Sequence, residues 1–263
     1  MIHSQIKPIF GTPLNRSHWA SQGLVLHYLM NEFAGDLVHD SCGMNDGKMI
    51  LMAPMSGISG WVPGPHGGAL AFDGTNDYVD CDSASILNIT TGNLSCFIRC
   101  FITQFINNDT LFSRGSYSED SGWSIYIGGG GDARKLSVLF GMSYFPEALA
   151  GSVSLNQWMT LGFVKRGINV NLYRDGLSLF SGNFGNIKFS VARLNIFNDS
   201  GTVNRNPTGF VSHVSIYNRA LSAEEIAYLY AFPWCMYDSG MSAWEYWQQN
   251  RNFDHYYRRL MAA

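Results

Sequence analysis

One stretch of the sequence concentrates side chains that could bind a ligand. Residues 67–82 read GGALAFDGTNDYVDCD, two short apolar runs joined by a turn rich in carboxylates and amides. Such oxygen atoms could hold a metal ion or a sugar. The same residues also suit an ordinary β-turn, because Asp73 and Asn76 can bond the turn backbone and Gly74 allows a positive φ. The turn is favoured, and the neighbouring residues that would then feed a core are Leu70, Phe72, Tyr78 and Val79.

The remaining chemistry-bearing residues form no catalytic pattern. A retaining glycosidase needs two carboxylates about 5 Å apart, yet neither E-x-D-x-E nor E-x-D-x-x-E occurs, and no two glutamates pair on a predicted strand. The nucleophile elbow, the H-E-x-x-H motif and the P-loop are missing too. The glycine-rich run 128–132 lies between predicted strands and not before a helix, which favours a hairpin loop over a phosphate site. His27 lies among apolar neighbours, where a structural role is the more common one. We therefore expect a protein that is not an enzyme.

Composition narrows the class of protein further. The chain has 263 residues, of which 14% are charged and 28 are glycine, and its formal net charge is -3. Few charges and many glycines are typical of packed sheets joined by turns. Because lysine and arginine form no stripe, we expect no nucleic-acid partner. No apolar run approaches the length of a membrane span, and the start lacks the apolar core of a signal peptide, so we expect neither a span nor general secretory export.

The cysteines do not predict a disulfide framework. Their number is odd and their spacing does not match a metal site. Cys96 and Cys100 lie four residues apart on one predicted strand, too far to bond each other. We expect reduced, mostly buried thiols at Cys42, Cys81, Cys96, Cys100 and Cys235.

Alternating apolar residues predict strands along most of the chain. In residues 93–102, one face carries five apolar side chains and the other carries Phe97, Arg99 and Phe101, which indicates a central strand. Asp175-Gly176 suits the tight turn of a hairpin. Similar runs occur at residues 24–30, 69–72, 78–81, 110–114, 122–128, 135–141, 157–166, 168–176, 177–182, 193–197 and 209–218. So many short strands predict an all-β sandwich or barrel.

One helix is predicted after the last strand, at residues 221–230. Ser222 and Glu225 form a capping box, and Leu221 and Ile226 have the spacing of a hydrophobic staple. The apolar face that should pack against the sandwich comprises Ile226, Leu229 and Tyr230.

Three segments, taken in order, match the motifs of a known family. Residues 23–49 hold an opening strand, an acidic turn and a loop similar to D-x-S-G-x-x-x-x-G. Residues 67–81 are similar to G-x-A-L-x-F-D-G-x-x-D-Y-V, and residues 209–230 combine a closing strand with the capped helix. Over about residues 21–232 the chain resembles the laminin-G-like, concanavalin A-like lectin/glucanase family. This resemblance implies a jelly roll of two antiparallel sheets with a short C-terminal helix and extended terminal segments.

The resemblance also implies a candidate cofactor, a structural Ca²⁺. Several family members hold this ion near the opening loops, the F-D-G turn and the final strand, and oxygen atoms are its ligands. The family's final strand often reads I-D-D-V-R-I-Y-N-R-A-L, whereas residues 211–215 here read VSHVS, so an acidic pair is missing. The matching candidates are Glu32, Asp40, Asp73 and Asp77, with Asn45 or backbone oxygens.

The two ends of the chain differ from its middle. The pattern predicts an extended arm over residues 1–20, the sandwich over residues 21–232 and an aromatic tail over residues 233–263. Exposed aromatics with arginine favour a protein interface, and the alternative is a tail folded back over its own sandwich. The candidate interface residues are Pro8, Phe10, Trp234, Trp244, Trp247, Tyr256, Tyr257 and Arg258.

The opening segment points to a function. Residues 7–32 are similar to the G-T-P-L-N-x-x-H-x-x-x-x-G-L-V opening of phage-like laminin-G proteins. A binding fold without a signal peptide could leave its host by lysis as part of a particle. The resemblance therefore implies a non-enzymatic protein of the virion surface, in a capsid decoration, fibre or tail. It would be a homo-oligomer or present in many copies, with major capsid or tail subunits as partners.

Two alternatives to a purely structural virion protein stay open. One is a carbohydrate-binding module that recognises a host-surface glycan, since an exposed aromatic ring can stack on a sugar. The other, less favoured, is a glycoside hydrolase. The candidate sugar-stacking residues are Tyr117, Trp123 and Tyr126, which flank a polar loop.

Overall fold

Two antiparallel sheets packed face to face form the fold. The computed structural model describes residues 6–53, 55–83, 85–89, 92–104, 108–115, 122–128, 134–141, 143–144, 152–184, 190, 192–199 and 205–237. The strands are β1 (Leu24–Tyr28), β2 (Leu37–Val38), β3 (Gly47–Ile50), β4 (Gly60–Gly64), β5 (Gly67–Asp73), β6 (Tyr78–Asp80), β7 (Asn93–Gln104), β8 (Asp109–Arg114), β9 (Trp123–Ile127), β10 (Leu136–Phe140), β11 (Ser143–Tyr144), β12 (Trp158–Arg166), β13 (Asn169–Arg174), β14 (Leu177–Asn183), β15 (Leu194–Ile196) and β16 (Thr208–Tyr217). Short 3-10 turns span Trp19–Ser21 and Ser85–Leu87, and the helix α1 spans Ala223–Ala231.

The strand order confirms the predicted sandwich. The first sheet runs β14-β13-β12-β7-β16-β5-β4, with β1 also paired to β16. The second sheet runs β11-β10-β9-β8-β15-β6-β3-β2. The strand β7 lies in the middle of the first sheet, as its two apolar faces predicted. None of the helices in the described ranges is long and apolar enough to cross a membrane.

The core lies between the two sheets and follows from the alternation in β7. Five alternate side chains of this strand are fully buried in the core, while Phe97, between them, belongs to a separate cluster with the helix. Both predicted faces are therefore confirmed. All five cysteines are free thiols, and burial raises the pKa of Cys100 to about 12 and that of Cys235 to about 11. The five core-facing residues of β7 are Leu94, Cys96, Ile98, Cys100 and Ile102.

The capped helix forms as predicted. The Ser222 side chain accepts a hydrogen bond from the backbone N–H of Glu225 at 3.2 Å, and the Glu225 carboxylate accepts one from the backbone N–H of Ser222 at 2.8 Å. Leu221 and Ile226 are both buried in the cluster that joins the helix to the first sheet. The helix thus covers part of the face of this sheet that is turned away from the second sheet.

The described parts of the two terminal segments pack on the sandwich and on each other. Leu14 and Tyr237 form an isolated antiparallel bridge, and the backbone N–H of Asn15 donates to Met236 O at 2.8 Å. Pro8 is buried, and Trp234 is only 7% exposed in a cluster with Ala20 and Leu29. Two residues of the predicted interface, Pro8 and Trp234, are therefore buried within the chain.

The other predicted interface residues divide into two groups. Phe10 is 53% exposed and its ring lies 5.0 Å from that of His39. Residues outside the described ranges are Trp244, Trp247, Tyr256, Tyr257 and Arg258.

The buried amine of Lys7 closes a gap in the first sheet. One edge of β16 pairs with β5 through residues 208–211 and with β1 through residues 214–217, which leaves Ser212 between the two partner strands. The Lys7 Nζ donates to Ser212 O at 2.6 Å and to Gly68 O. The lysine is 4% exposed, and its burial lowers its pKa well below the usual value. Its amine supplies the hydrogen bonds that neither strand can give at this point.

We expect Lys7→Met to lower the free energy of unfolding by about 2–4 kcal/mol. The methionine keeps an apolar stem, but the two carbonyls lose their donor, and each buried unpaired group costs about 1–3 kcal/mol. Urea unfolding followed by tryptophan fluorescence measures the change. Lys48→Met, at an exposed position of β3, is the matched control and should change little. Equal stability of the two variants would contradict a structural role for the Lys7 amine.

Candidate ligand-binding face

The first sheet has one surface that is turned away from the second sheet. Three neighbouring cross-strand rows on this surface are here named the outer face. They lie on β12, β7 and β16, and their residues alternate with those that enter the core. Successive rows are about 6.6 Å apart along the strands. The aromatic row is Trp158, Phe101 and Phe210, the polar row is Thr160, Arg99 and His213, and the third row is Gly162, Phe97 and Ser215.

The aromatic row presents three half-buried rings side by side. The ring centre of Phe101 lies 5.6 Å from that of Trp158 and 5.8 Å from that of Phe210. A small apolar cluster on β4 and β5 packs beside Trp158 and Phe210. The planes of these ring pairs are inclined by 57° and 66°, so the row is a partly exposed apolar cluster, and an exposed ring of such a cluster can pack on the apolar face of a sugar.

The polar row opens into a cavity between the outer face and α1. This cavity has a volume of about 260 Å³. Its polar wall includes Arg99, His66 and His213, and its apolar wall includes Phe97 and Leu229. A small amphipathic group could therefore enter it with its polar edge toward the sheet.

Arg99 is held in place but not neutralised. Its Nη1 donates to Thr160 Oγ1 at 3.2 Å, while its Nε is buried and has no hydrogen-bond partner in the part of the chain that the structure describes. The ion pairs between described residues do not include Arg99. The Nδ1 of His213, a residue only 8% exposed, also lacks a partner within the described ranges. The polar row thus holds hydrogen-bonding capacity that the described residues do not use.

The histidines beside this row are neutral at pH 7. Burial, with a smaller effect of the Lys7 charge, lowers the pKa of His27 to about 3. Burial followed by the charges of Arg99 and Lys7 lowers the pKa of His66 to about 4, and burial lowers that of His213 well below its usual value. His27 is a structural histidine, as expected, because its Nδ1 lies 2.8 Å from the Tyr237 hydroxyl.

The four carboxylates predicted as calcium ligands bond backbone N–H groups. Glu32 accepts from His39 at 2.8 Å, Asp73 accepts from Thr75 at 2.8 Å and Asp77 accepts from Asp73 at 3.0 Å. A further group, Asp40, accepts from His27 at 2.8 Å and from Cys42 at 2.9 Å. In the part of the chain that the structure describes, no three His, Cys, Asp or Glu side chains are arranged to hold a metal ion. Glu32 Oε2, Asp77 Oδ1 and Asn45 Oδ1 are buried without a hydrogen-bond partner among the described residues, and calcium stays a prediction.

The turn at residues 73–77 is built as the architectural interpretation predicts. Asp73 bonds the turn backbone, and Gly74 has a φ of 79°. A Cβ at Gly74 would lie 2.1 Å from Thr208 Oγ1, so the close approach of β16 also requires glycine. Asp77, rather than the expected Asn76, supplies the second of these bonds to the turn backbone.

The two described residues of the predicted sugar-stacking set, Trp123 and Tyr126, lie in the second sheet and not on the outer face. Trp123 is 3% exposed, and its ring lies 5.5 Å from Phe163 and 6.3 Å from Phe112 in the core. Tyr126 is 6% exposed, and Tyr117 lies outside the described residues. A sugar cannot stack on rings this deeply buried. The aromatic row on the outer face was missed, although the second face of β7 already carried Phe101 and Arg99 together.

A family comparison agrees with this architecture. A model of the concanavalin A-like lectin/glucanases superfamily matches residues 73–227, more than half of the chain. The chain belongs to this superfamily. The family prediction from the three sequence segments is therefore confirmed. A separate search of curated proteins finds no match.

Solved structures of the superfamily fold resemble the chain at low sequence identity. Domain 4 of AbnA, an extracellular arabinanase of Geobacillus stearothermophilus in complex with arabinotriose, has a TM-score of 0.62 and 18% identity over 78% of this chain and 97% of that domain. The binding domain of Paraclostridial Mosquitocidal Protein 1 has a TM-score of 0.60 and 16% identity, over 79% of this chain and 52% of that chain. The binding domain of botulinum neurotoxin serotype D has a TM-score of 0.58 and 15% identity, over 80% and 51%. The chain spans about half the length of each toxin domain, and these likenesses show the fold alone.

The buried histidines predict a loss of stability in acid. The pKa of His27 is about 3 in the folded protein and about 6.5 when unfolded. The contribution of neutral His27 to the free energy of unfolding is therefore complete above about pH 6.5 and is lost as the pH falls below it. Each such histidine should lower the free energy of unfolding by about 1.4 kcal/mol per pH unit in this range. Urea unfolding between about pH 7 and pH 5 measures the slope.

The variant His27→Gln isolates this effect. It keeps a hydrogen-bonding side chain but cannot take up the proton. The slope of its free energy of unfolding against pH should therefore be smaller by the contribution of one histidine. Burial raises the pKa of Glu32, Asp40 and Asp77, which acts in the opposite direction, but equally in both proteins. Identical slopes would show that His27 does not resist protonation in the folded state.

Proposed function

We propose that the chain is a non-catalytic binding protein that recognises a saccharide through its outer face and works on the surface of a virus particle. The observation that carries the binding function is the aromatic row beside the polar row. A sugar has an apolar face of C–H groups and an edge of hydroxyls, and the two rows match these surfaces. Support from outside the chain is limited to fold relatives, of which one is described in complex with arabinotriose and two as binding domains.

The composition of the outer face supports binding without catalysis. None of the nine residues in the three rows is a carboxylate, so these rows offer no acid and base pair for glycoside hydrolysis. A carboxylate next to the polar row, Asp175, already accepts from the backbone N–H of Thr160 at 2.8 Å and pairs with Arg174 at 3.3 Å. Glu225, in α1, is bound to Ser222 and Arg219.

We expect Trp158→Ala to weaken saccharide binding about tenfold. An aromatic contact contributes about 0.5–1.5 kcal/mol beyond its buried area, and the buried area of the Trp158 ring adds to this, while about 1.4 kcal/mol corresponds to a tenfold change in Kd. A glycan array first identifies a bound saccharide, and isothermal titration calorimetry then measures its Kd for both proteins.

The matched control is Phe10→Ala. This ring is more exposed than Trp158 and contacts His39 instead of the outer face. Circular dichroism should show that both variants are folded. If Phe10→Ala loses as much affinity as Trp158→Ala, the saccharide does not bind at the aromatic row.

Two features support display on a virus particle. The first is the similarity of residues 7–32 to the opening of phage-like laminin-G proteins. The second is a set of exposed apolar side chains at the edge of the sandwich formed by β2, β3 and the loop after it. Exposed apolar groups in one region favour contact with another protein, and this edge leaves the outer face free for a ligand. The set comprises Leu37, Leu51, Met55 and Ile58.

Mass spectrometry and cryo-electron microscopy of purified particles test the location. A decoration protein should be present in many copies, with Met55 and Ile58 against a capsid or tail subunit. Particles that lack the chain would contradict the virion location but would leave saccharide binding to be tested by calorimetry.

A further inference from the structure

The charge of the polar row leads to a more specific inference about the ligand. Arg99 is the charged side chain that lines the cavity, and the lining contains no carboxylate. Arginine stays protonated in proteins, and its guanidinium binds carboxylates in a planar, two-pronged geometry. A cation held at a cavity wall without a described ion-pair partner is suited to an anionic ligand.

Two unused buried atoms define how such a ligand would bind. The Nε of Arg99 and the Nδ1 of His213 are both buried without a partner among the described residues, and the two residues lie opposite each other in the register of β7 and β16. Because a neutral imidazole nitrogen can donate or accept a hydrogen bond, His213 can bond either a carboxylate or a hydroxyl. Leaving such groups without a partner is costly, and an incoming anion with a neighbouring hydroxyl would satisfy both.

The remaining walls limit the size and shape of the ligand. Ile226, Leu229 and Met236 face the polar row across the cavity. A volume of about 260 Å³ is large enough for a single sugar ring. The adjoining aromatic row lies about 6.6 Å away along the strands, which is within reach of the next sugar in a chain.

We infer that the cavity binds the terminal residue of an acidic glycan, a sugar ring that carries a carboxylate, with the carboxylate on Arg99. This inference rests on the proposed saccharide binding and adds the charge and the position of the terminal sugar. The carboxylate pairs with the guanidinium of Arg99, a hydroxyl bonds the imidazole of His213, and the apolar face of the ring packs on Leu229. The following sugar stacks on the aromatic row.

A paired comparison on the unchanged protein tests the inference. The probes are oligosaccharides that end in a uronic acid and the same compounds after reduction of the carboxyl group to the neutral hexose. They are printed on an array and then titrated by calorimetry. The acidic member of each pair should bind at least tenfold more tightly. Equal binding of both members would overturn the inference and leave the proposed function intact, while binding of no glycan would overturn the proposed function and the inference together.

Variants then locate the carboxylate. Arg99→Gln should bind the acidic and neutral members equally, and Arg99→Lys, which keeps the charge without the planar fork, should retain part of the preference. Arg166→Gln, an exposed arginine at the end of β12, is the matched control and should bind like the unchanged protein. An acidic preference that persists in folded Arg99→Gln would overturn the assignment of the carboxylate to Arg99.

Discussion

Backbone hydrogen bonding along β16 is the constraint on which the rest of the structure depends. This strand gives one edge to β7 and divides the other between β5 and β1, so the first and last strands of the sandwich lie side by side. The division leaves Ser212 without a strand partner on that edge, and a buried carbonyl without a donor is costly. Lys7 supplies the donor. The segment that carries Lys7 is thereby fixed on the first sheet, and through Asn15 it holds the chain after α1.

The same strand creates the polar row through an irregularity. Val211 pairs with Cys100, but the next partner of β7, Arg99, lies opposite His213 and not Ser212. Such a bulge inserts one extra residue, so the inward and outward alternation of β16 shifts by one position and again matches that of β7 beyond the bulge. Val214 therefore enters the core, and His213 reaches the outer face beside Arg99. In a regular ladder the histidine would point into the apolar core, where an unpaired imidazole is unfavourable.

The sequence predicted the parts of the fold that local chemistry determines. The two faces of β7 and the capping box of α1 follow from spacing within a few residues, and the structure has both. Strand β4 was missed because its residues, GWVPG, contain two glycines and a proline, which occur in strands mainly at edges, and β4 is an edge strand. Trp123 was misassigned because its alternation does not reveal that β9 is buried along its whole length. The outer face could not be predicted in this way, because it depends on the register of three strands and on a bulge. Neither can be read from the spacing of residues along one strand.

Gly162 and the carboxylates of the loops bear on the shape and the charge of the outer face. At Gly162 a Cβ would lie 2.4 Å from a carbon of the Phe97 ring, so glycine lets this ring lean across β12 beside the cavity. Of the acidic side chains that suggested a cation site in the sequence, Asp40 and Asp73 bond backbone N–H groups in the loops that carry them. At the outer face, the guanidinium of Arg99 has no ion-pair partner among the described residues. The inferred acidic ligand therefore depends on this guanidinium, whereas the expected cation site depends on carboxylates in the loops and turns.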